Sequence, residues 1–111
     1  MKILCGTVCL AALTACVAPP SSEMERQARQ AAGAEYAAKN CASSVGGFSA
    51  ARELRQEANQ RIVAARSLGA TDAVLDKARV DVNTMVSTAA AFTTQRDACN
   101  QLVSELAWAM G

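Results

Sequence analysis

The chain has no histidine, which removes the commonest general base near neutral pH and the commonest metal ligand together. Its two prolines are adjacent, at Pro19 and Pro20. There is no glycine-rich loop after a strand to cradle phosphate, and no Cys-x-x-Cys. Aromatic residues are one Trp, one Tyr and two Phe, so the core must be built from smaller side chains. No segment alternates apolar and polar residues as a half-buried strand would. Eleven basic residues face ten acidic ones. That balance leaves no cationic excess to displace counterions from nucleic acid. These absences argue against an enzyme, a cofactor, a metal centre and a nucleic-acid partner, and no small-molecule substrate is evident.

What is present begins at the N-terminus. Lys2 is followed by the apolar run Ile3 to Leu13, "ILCGTVCLAAL". A bilayer span needs about 20 apolar residues, so this run fits the apolar region of a cleaved signal peptide. It closes on "LTAC", Leu13 to Cys16, with "VAPPSS" after it. The motif resembles the bacterial lipobox, in which the cysteine becomes the first residue of the mature chain and carries a diacylglycerol on its sulfur. The resemblance implies residues 1–15 as signal peptide, a lipidated Cys16 with a Pro/Ser tether over residues 16–21, and one domain over residues 22–111. Two or three acyl chains hold a protein stably on a membrane where one holds it marginally. Val17 stands where an aspartate would retain a lipoprotein in the inner membrane, which favours the outer membrane. Removing Lys2 leaves the mature chain neutral, with ten basic residues against ten acidic ones.

Five cysteines reduce to two by the same reasoning. Cys5 and Cys9 leave with the signal and Cys16 carries lipid, so Cys41 and Cys99 remain in a compartment where thiols oxidise. A disulfide between them is expected. Their separation of 58 residues is far from that of a redox pair.

Ser22 and Glu25 form an S-x-x-E capping box, so the first helix is expected from about Glu23 to Ser43, with a thin apolar stripe of Met24, Ala31, Ala34, Ala38 and Cys41. Gly46-Gly47 breaks it. Ser49 is the expected cap of a second helix with its seam at Ala51, Leu54, Ala58, Ile62, Ala65 and Leu68, ended by Gly69. Thr71-Asp72 opens a third segment, Asp72 to Met110, without Gly or Pro. Two heptad series run along it, one through Leu75 and Val82, the other through Ala78, Met85, Phe92, Cys99 and Leu106, interrupted by Arg96.

Residues equidistant from a hairpin turn lie level, since both arms rise about 1.5 Å per residue. With the turn at Ala70, Cys41 meets Cys99, Phe48 meets Phe92, Leu54 meets Val86 and Ala58 meets Val82. The expected fold is all-α, an elongated antiparallel helical hairpin of three helices with one disulfide, about 60 Å long. The alternative is a compact four-helix bundle with a break near Thr93-Thr94, where Thr94 and Asp97 form a capping pair. That arrangement also levels the cysteines. Glu53 and Glu57 lie four apart on one helix, the spacing of a solvated face. Arg96 either reaches water or pairs with an acid such as Glu105, and Trp108 either closes the core or serves as a contact residue.

"AKNC" at Ala38 to Cys41, "ARSLGATDAVLD" at Ala65 to Asp76 and the second cysteine in the last helix resemble a domain-of-unknown-function family of small exported alphaproteobacterial proteins. That likeness implies a helical, disulfide-bonded fold and no known activity. A fainter likeness is to periplasmic acid-stress chaperones of the HdeA type. The function expected is a lipid-anchored envelope protein facing the periplasm, with a structural or partner-binding role. A client-binding chaperone is the alternative.

Overall fold

The structure, a computed structural model, describes residues 20–110, with backbone only at residues 107–110. The signal-peptide segment and Cys16 therefore lie outside the described residues, as does the Trp108 side chain. Among the described residues the chain is entirely helical: α1 (Glu23–Asn40), a short α2 (Ala42–Val45), α3 (Phe48–Ser67), α4 (Asp72–Phe92) and α5 (Gln95–Met110).

Helix α1 begins as the capping box requires. The Ser22 hydroxyl accepts from the Glu25 N–H at 3.2 Å, while the Glu25 carboxylate reaches back to the N–H of Ser21 at 2.8 Å. The helix stops at Asn40, short of Ser43, because Cys41 has a non-helical backbone and caps it with an N–H bond to the Ala37 carbonyl. After α2, Gly46 and Gly47 both take positive φ, and Gly47 rather than Ser49 precedes the first residue of α3. At the far end of α3 the Gly69 N–H bonds to Arg66 O and the Ala70 N–H to Ala65 O, the paired bonds of a Schellman end, and Gly69 has the φ of +103° this requires. Thr71 caps α4 through the Val74 N–H at 3.3 Å.

The expected continuous helix from Asp72 to Met110 is instead two helices. Thr93 bonds back to the Ala89 carbonyl through its hydroxyl at 2.8 Å, and the Thr94 hydroxyl accepts from the Asp97 N–H at 3.0 Å, opening α5. Two threonines thus do the work of a glycine or proline: their side chains satisfy the backbone groups left at the two helix ends. The elongated rod is absent in consequence. The protein measures 43 × 35 × 24 Å, and α3 and α4, the two arms of the expected hairpin, scarcely touch. Phe48 and Phe92 do not meet in a core, and each is 73% exposed.

What separates those arms is α1, which packs on α3, α4 and α5. Ala31, Ala32, Gly33 and Ala34 are all buried. Four consecutive helical residues sweep about 300° of the circumference at 3.6 residues per turn, so α1 is enclosed on nearly every side. Its small side chains let neighbouring axes approach toward the lower end of the usual 8–10 Å. A Cβ on Gly33 would lie 3.2 Å from Leu106 Cδ2, which places α5 directly over the glycine. Leu106 follows Cys99 by about the interval at which Gly33 precedes Cys41, so α5 runs antiparallel to α1. The Cys41–Cys99 disulfide, with Cα atoms 5.5 Å apart, fixes that register.

The core has two parts. The larger joins Ala28, Ala32, Ala65, Leu75, Val82 and Val86; the smaller surrounds the disulfide with Ala37 and Leu106. Of the eighteen buried apolar residues among those described, all but Leu75, Val82, Val86, Leu106 and the two cysteines are alanine. A methyl buries little area, so the covalent link carries unusual weight.

Two outcomes are expected. Cys41→Ser/Cys99→Ser removes a closure that stabilises by up to about 4 kcal/mol on chain-entropy grounds, and urea melts should show a loss of about 2–4 kcal/mol. Gly33→Val drives a branched side chain into Leu106 and should cost about 1–3 kcal/mol by overpacking, read as a lower thermal midpoint with the disulfide intact.

Candidate functional site

Cys41 and Cys99 are brought together as expected, both nearly fully buried. They are structural, held inside the smaller core. Of the other residues singled out in the sequence, Glu53 and Glu57 line a shallow depression with Val45, Leu54, Val103 and Leu106. Glu57 lies 3.8 Å from Arg61. No nucleophile stands in that depression. Arg96 is exposed to solvent: the break at Thr93-Thr94 turns it off the seam, so neither a long reach through the core nor a buried partner is needed. Among the described residues no group of three or more His, Cys, Asp or Glu could hold a metal ion. None of the described helices is long and apolar enough to cross a membrane.

The larger concave feature is a groove of about 520 Å³. Its floor is α1, at Gln30 and Gly33; one wall is α4, at Met85 and Ala89; the other is α5, at Ala98 and Leu102. The small residues of the floor make it possible, because a large side chain at Gly33 would fill the space. Its lining is mostly apolar, but the buried Gln30 Oε1 has no hydrogen-bond partner among the described residues. A buried acceptor left unpaired costs about 1–3 kcal/mol. Pro20, the first described residue, is among the residues that line it. Sequence reasoning assigned none of these residues a role beyond packing. A glycine within an alanine run was the one available signal.

Ion pairs clamp the outside of this assembly. Asp81 on α4 receives Arg29 of α1 at 3.0 Å and Lys77 at 2.9 Å, with Arg29 and Asp81 both more than four-fifths buried. Arg79 bonds Glu35 of α1 and Asp76, each at 3.0 Å. The hydrogen bond that Arg79 donates to Glu35, aided by Asp76, raises the Arg79 pKa further, so this charge is constant at any working pH. At the α2–α3 end the guanidinium of Arg52 sits 5.5 Å over the exposed Phe48 ring, a cation–π pair facing solvent.

No family model, curated protein or solved structure matches this chain. Function must therefore be argued from its own residues.

Beside the groove mouth, the Ser21 hydroxyl and then its backbone N–H donate to Glu25 and hold that carboxyl below its ordinary 4.5. A depressed carboxylate adds stability that is fully present above its unfolded value and is lost as pH falls through the lower folded value. The stability difference between wild type and Glu25→Gln, measured by urea melts, should hold steady from pH 7 to about pH 5. It should shrink on further acidification.

Proposed function

We propose that this chain is a small envelope lipoprotein, carrying its lipid on Cys16 and facing the periplasm, with a partner-binding or structural role and no catalytic activity. The observation that carries the reading is the placement of the helical domain. It is capped at Ser22, and only Val17, Ala18 and Pro19 separate its first described residue, Pro20, from the cysteine of "LTAC". A tether that short would hold the domain against the membrane surface. The outer membrane is favoured by Val17, as set out above. The likeness to small exported alphaproteobacterial proteins agrees with an extracytoplasmic location and adds no activity.

The finer architecture in this reading is a four-helix packing centred on α1, closed by the disulfide. The exposed Phe48–Arg52 pair supports a protein partner, because aromatic and Arg side chains dominate binding hot spots. The chaperone alternative has the exposed Phe48, Val63, Leu68, Val80 and Phe92 in its favour. A lipid tether suits a stationary partner better than a diffusing client.

The test is fractionation of the full chain expressed in a lipoprotein-processing bacterium. Wild type should enter the detergent phase and the denser, outer-membrane band, with a diacylglyceryl mass on Cys16. Cys16→Ser should move to the soluble fraction, and crosslinking from wild-type membranes should capture a discrete partner that the variant loses. A Cys16→Ser protein that stays in the membrane fraction would sink the proposal.

A further inference from the structure

We propose that the disulfide end of the domain, where Phe48 stands with Lys39, Arg52, Arg55 and Arg96 at the ends of three helices, docks an acidic segment of a protein partner. The proposal rests on the partner-binding reading above and names the partner's chemistry.

The chain is close to neutral, but its charges are sorted along its length. Ten basic residues lie among those described. Six of them, on the first half of α1, the second half of α3 and the first half of α4, have a carboxylate oxygen within 3.8 Å. The other four, Lys39, Arg52, Arg55 and Arg96, are exposed and have no ion pair among the described residues. All four belong to one end. Lys39 lies two residues before Cys41 and Arg96 about one turn before Cys99, and the disulfide holds those cysteines at a Cα distance of 5.5 Å. Arg52 and Arg55 lie in the first half of α3, whose Leu54 packs against the core around the disulfide. The acids at this end without an ion pair are Glu53, which lines the depression with Glu57, and Asp97 in the first turn of α5. Four positive charges therefore stand against two.

Phe48 adds the apolar part of the surface. Its ring is 73% exposed, with the Arg52 guanidinium 5.5 Å above it. Aromatic and Arg side chains are enriched at protein interfaces, and complementary charge fixes register and speeds encounter. A partner carboxylate that reaches Arg52 or Arg55 gains a charge-assisted hydrogen bond beside an apolar contact. An anionic bilayer is a poorer fit, since it takes a cluster of about four to eight basic residues, and here two acids dilute four. Position argues the same way. The 18 residues of α1 put about 27 Å between this end and Ser22. In the mature chain of the lipoprotein reading, the four residue steps from Pro20 to Cys16 extend at most about 14 Å, so the tether does not reach it. Helix α5 runs antiparallel to α1 and carries the C-terminus away from it. The surface thus lies at the end of the domain opposite the anchor.

The experiment uses the full chain, lipidated in cells, with the photoreactive amino acid p-benzoylphenylalanine replacing Phe48, and in a second protein replacing Ser49. Val80, 63% exposed on α4, is the control position. After irradiation of intact cells, digestion and mass spectrometry identify the joined peptides. Positions 48 and 49 should each give an adduct to a protein segment of net negative charge, at least about tenfold above position 80. Arg52→Glu/Arg55→Glu, added to the position-49 protein, should lower that yield at least about tenfold. Arg66→Gln, which removes a paired cation at the other end, should leave it within about twofold. In vitro, the purified lipidated chain in micelles should bind a fluorescein-labelled peptide of ten Glu-Ala repeats at least about tenfold more tightly than one of ten Lys-Ala repeats, and the double variant should lose that preference. Absence of a protein adduct from all three positions overturns the partner-binding reading and this proposal with it. Adducts from position 80 alone, adducts to basic or neutral segments, to phospholipid or to a second copy, or indifference to the two Arg→Glu changes overturn the proposal and leave that reading standing. Circular dichroism and an intact disulfide confirm that each substituted protein is folded.

Discussion

Helix α1 must be covered on nearly all sides at once, and the other elements are arranged to do so. At its middle turn Ala31, Ala32, Gly33 and Ala34 are all buried, so α3, α4 and α5 take up positions around it. Small side chains bring those neighbours close but bury little area each. The shortfall is met where larger groups reach in from outside. Leu106 sits over Gly33, Leu75, Val82 and Val86 come from α4, and the Arg29–Asp81 pair bolts α4 to α1 from the flank. The disulfide then holds α5 to the end of α1.

Much of this was legible in the sequence. The Ser22–Glu25 box, the Gly69 helix end, the Thr71 start and the Cys41–Cys99 pair are all where local chemistry put them. Each is a short-range or covalent rule that tertiary packing does not override. The heptad seam of α4 holds at Leu75, Ala78 and Val82, where Val86 rather than Met85 is the next buried residue and Phe92 is exposed, and it resumes in α5 at Cys99 and Leu106.

The topology was misread for a physical reason. Levelling residues about Ala70 assumes that consecutive arms touch, and an apolar stripe on each arm satisfies the arithmetic whether it faces the other arm or a third helix. The alanine-rich first helix looked like a thin surface stripe because hydropathy weighs methyls lightly. The run of four consecutive small residues at its middle, and not the strength of an apolar stripe, was the signal of a central helix. The break at Thr93-Thr94 was visible only as a capping pair, since threonine does not punctuate a chain as glycine and proline do. The groove escaped sequence reasoning altogether. It is made by what Gly33 lacks, and by helices that are distant in sequence diverging over it.

The disulfide has a mechanical consequence. By joining residues 41 and 99 it closes a covalent ring that contains α2, α3 and α4, leaving α1 and most of α5 as two strings emerging from one knot. Because the two strings run antiparallel, a load applied between the start of α1 and the end of α5 peels them apart from their free ends, one turn after another, and arrives at the sulfur–sulfur bond. There the load passes directly from one string to the other and bypasses the ring. The length of chain that tension can draw out is therefore limited to about 30 residues, or about 100 Å when fully extended. The remainder cannot be unravelled by pulling while the bridge is closed. The disulfide is thus a strain limiter as well as a staple, set between the two ends by which the molecule can be held.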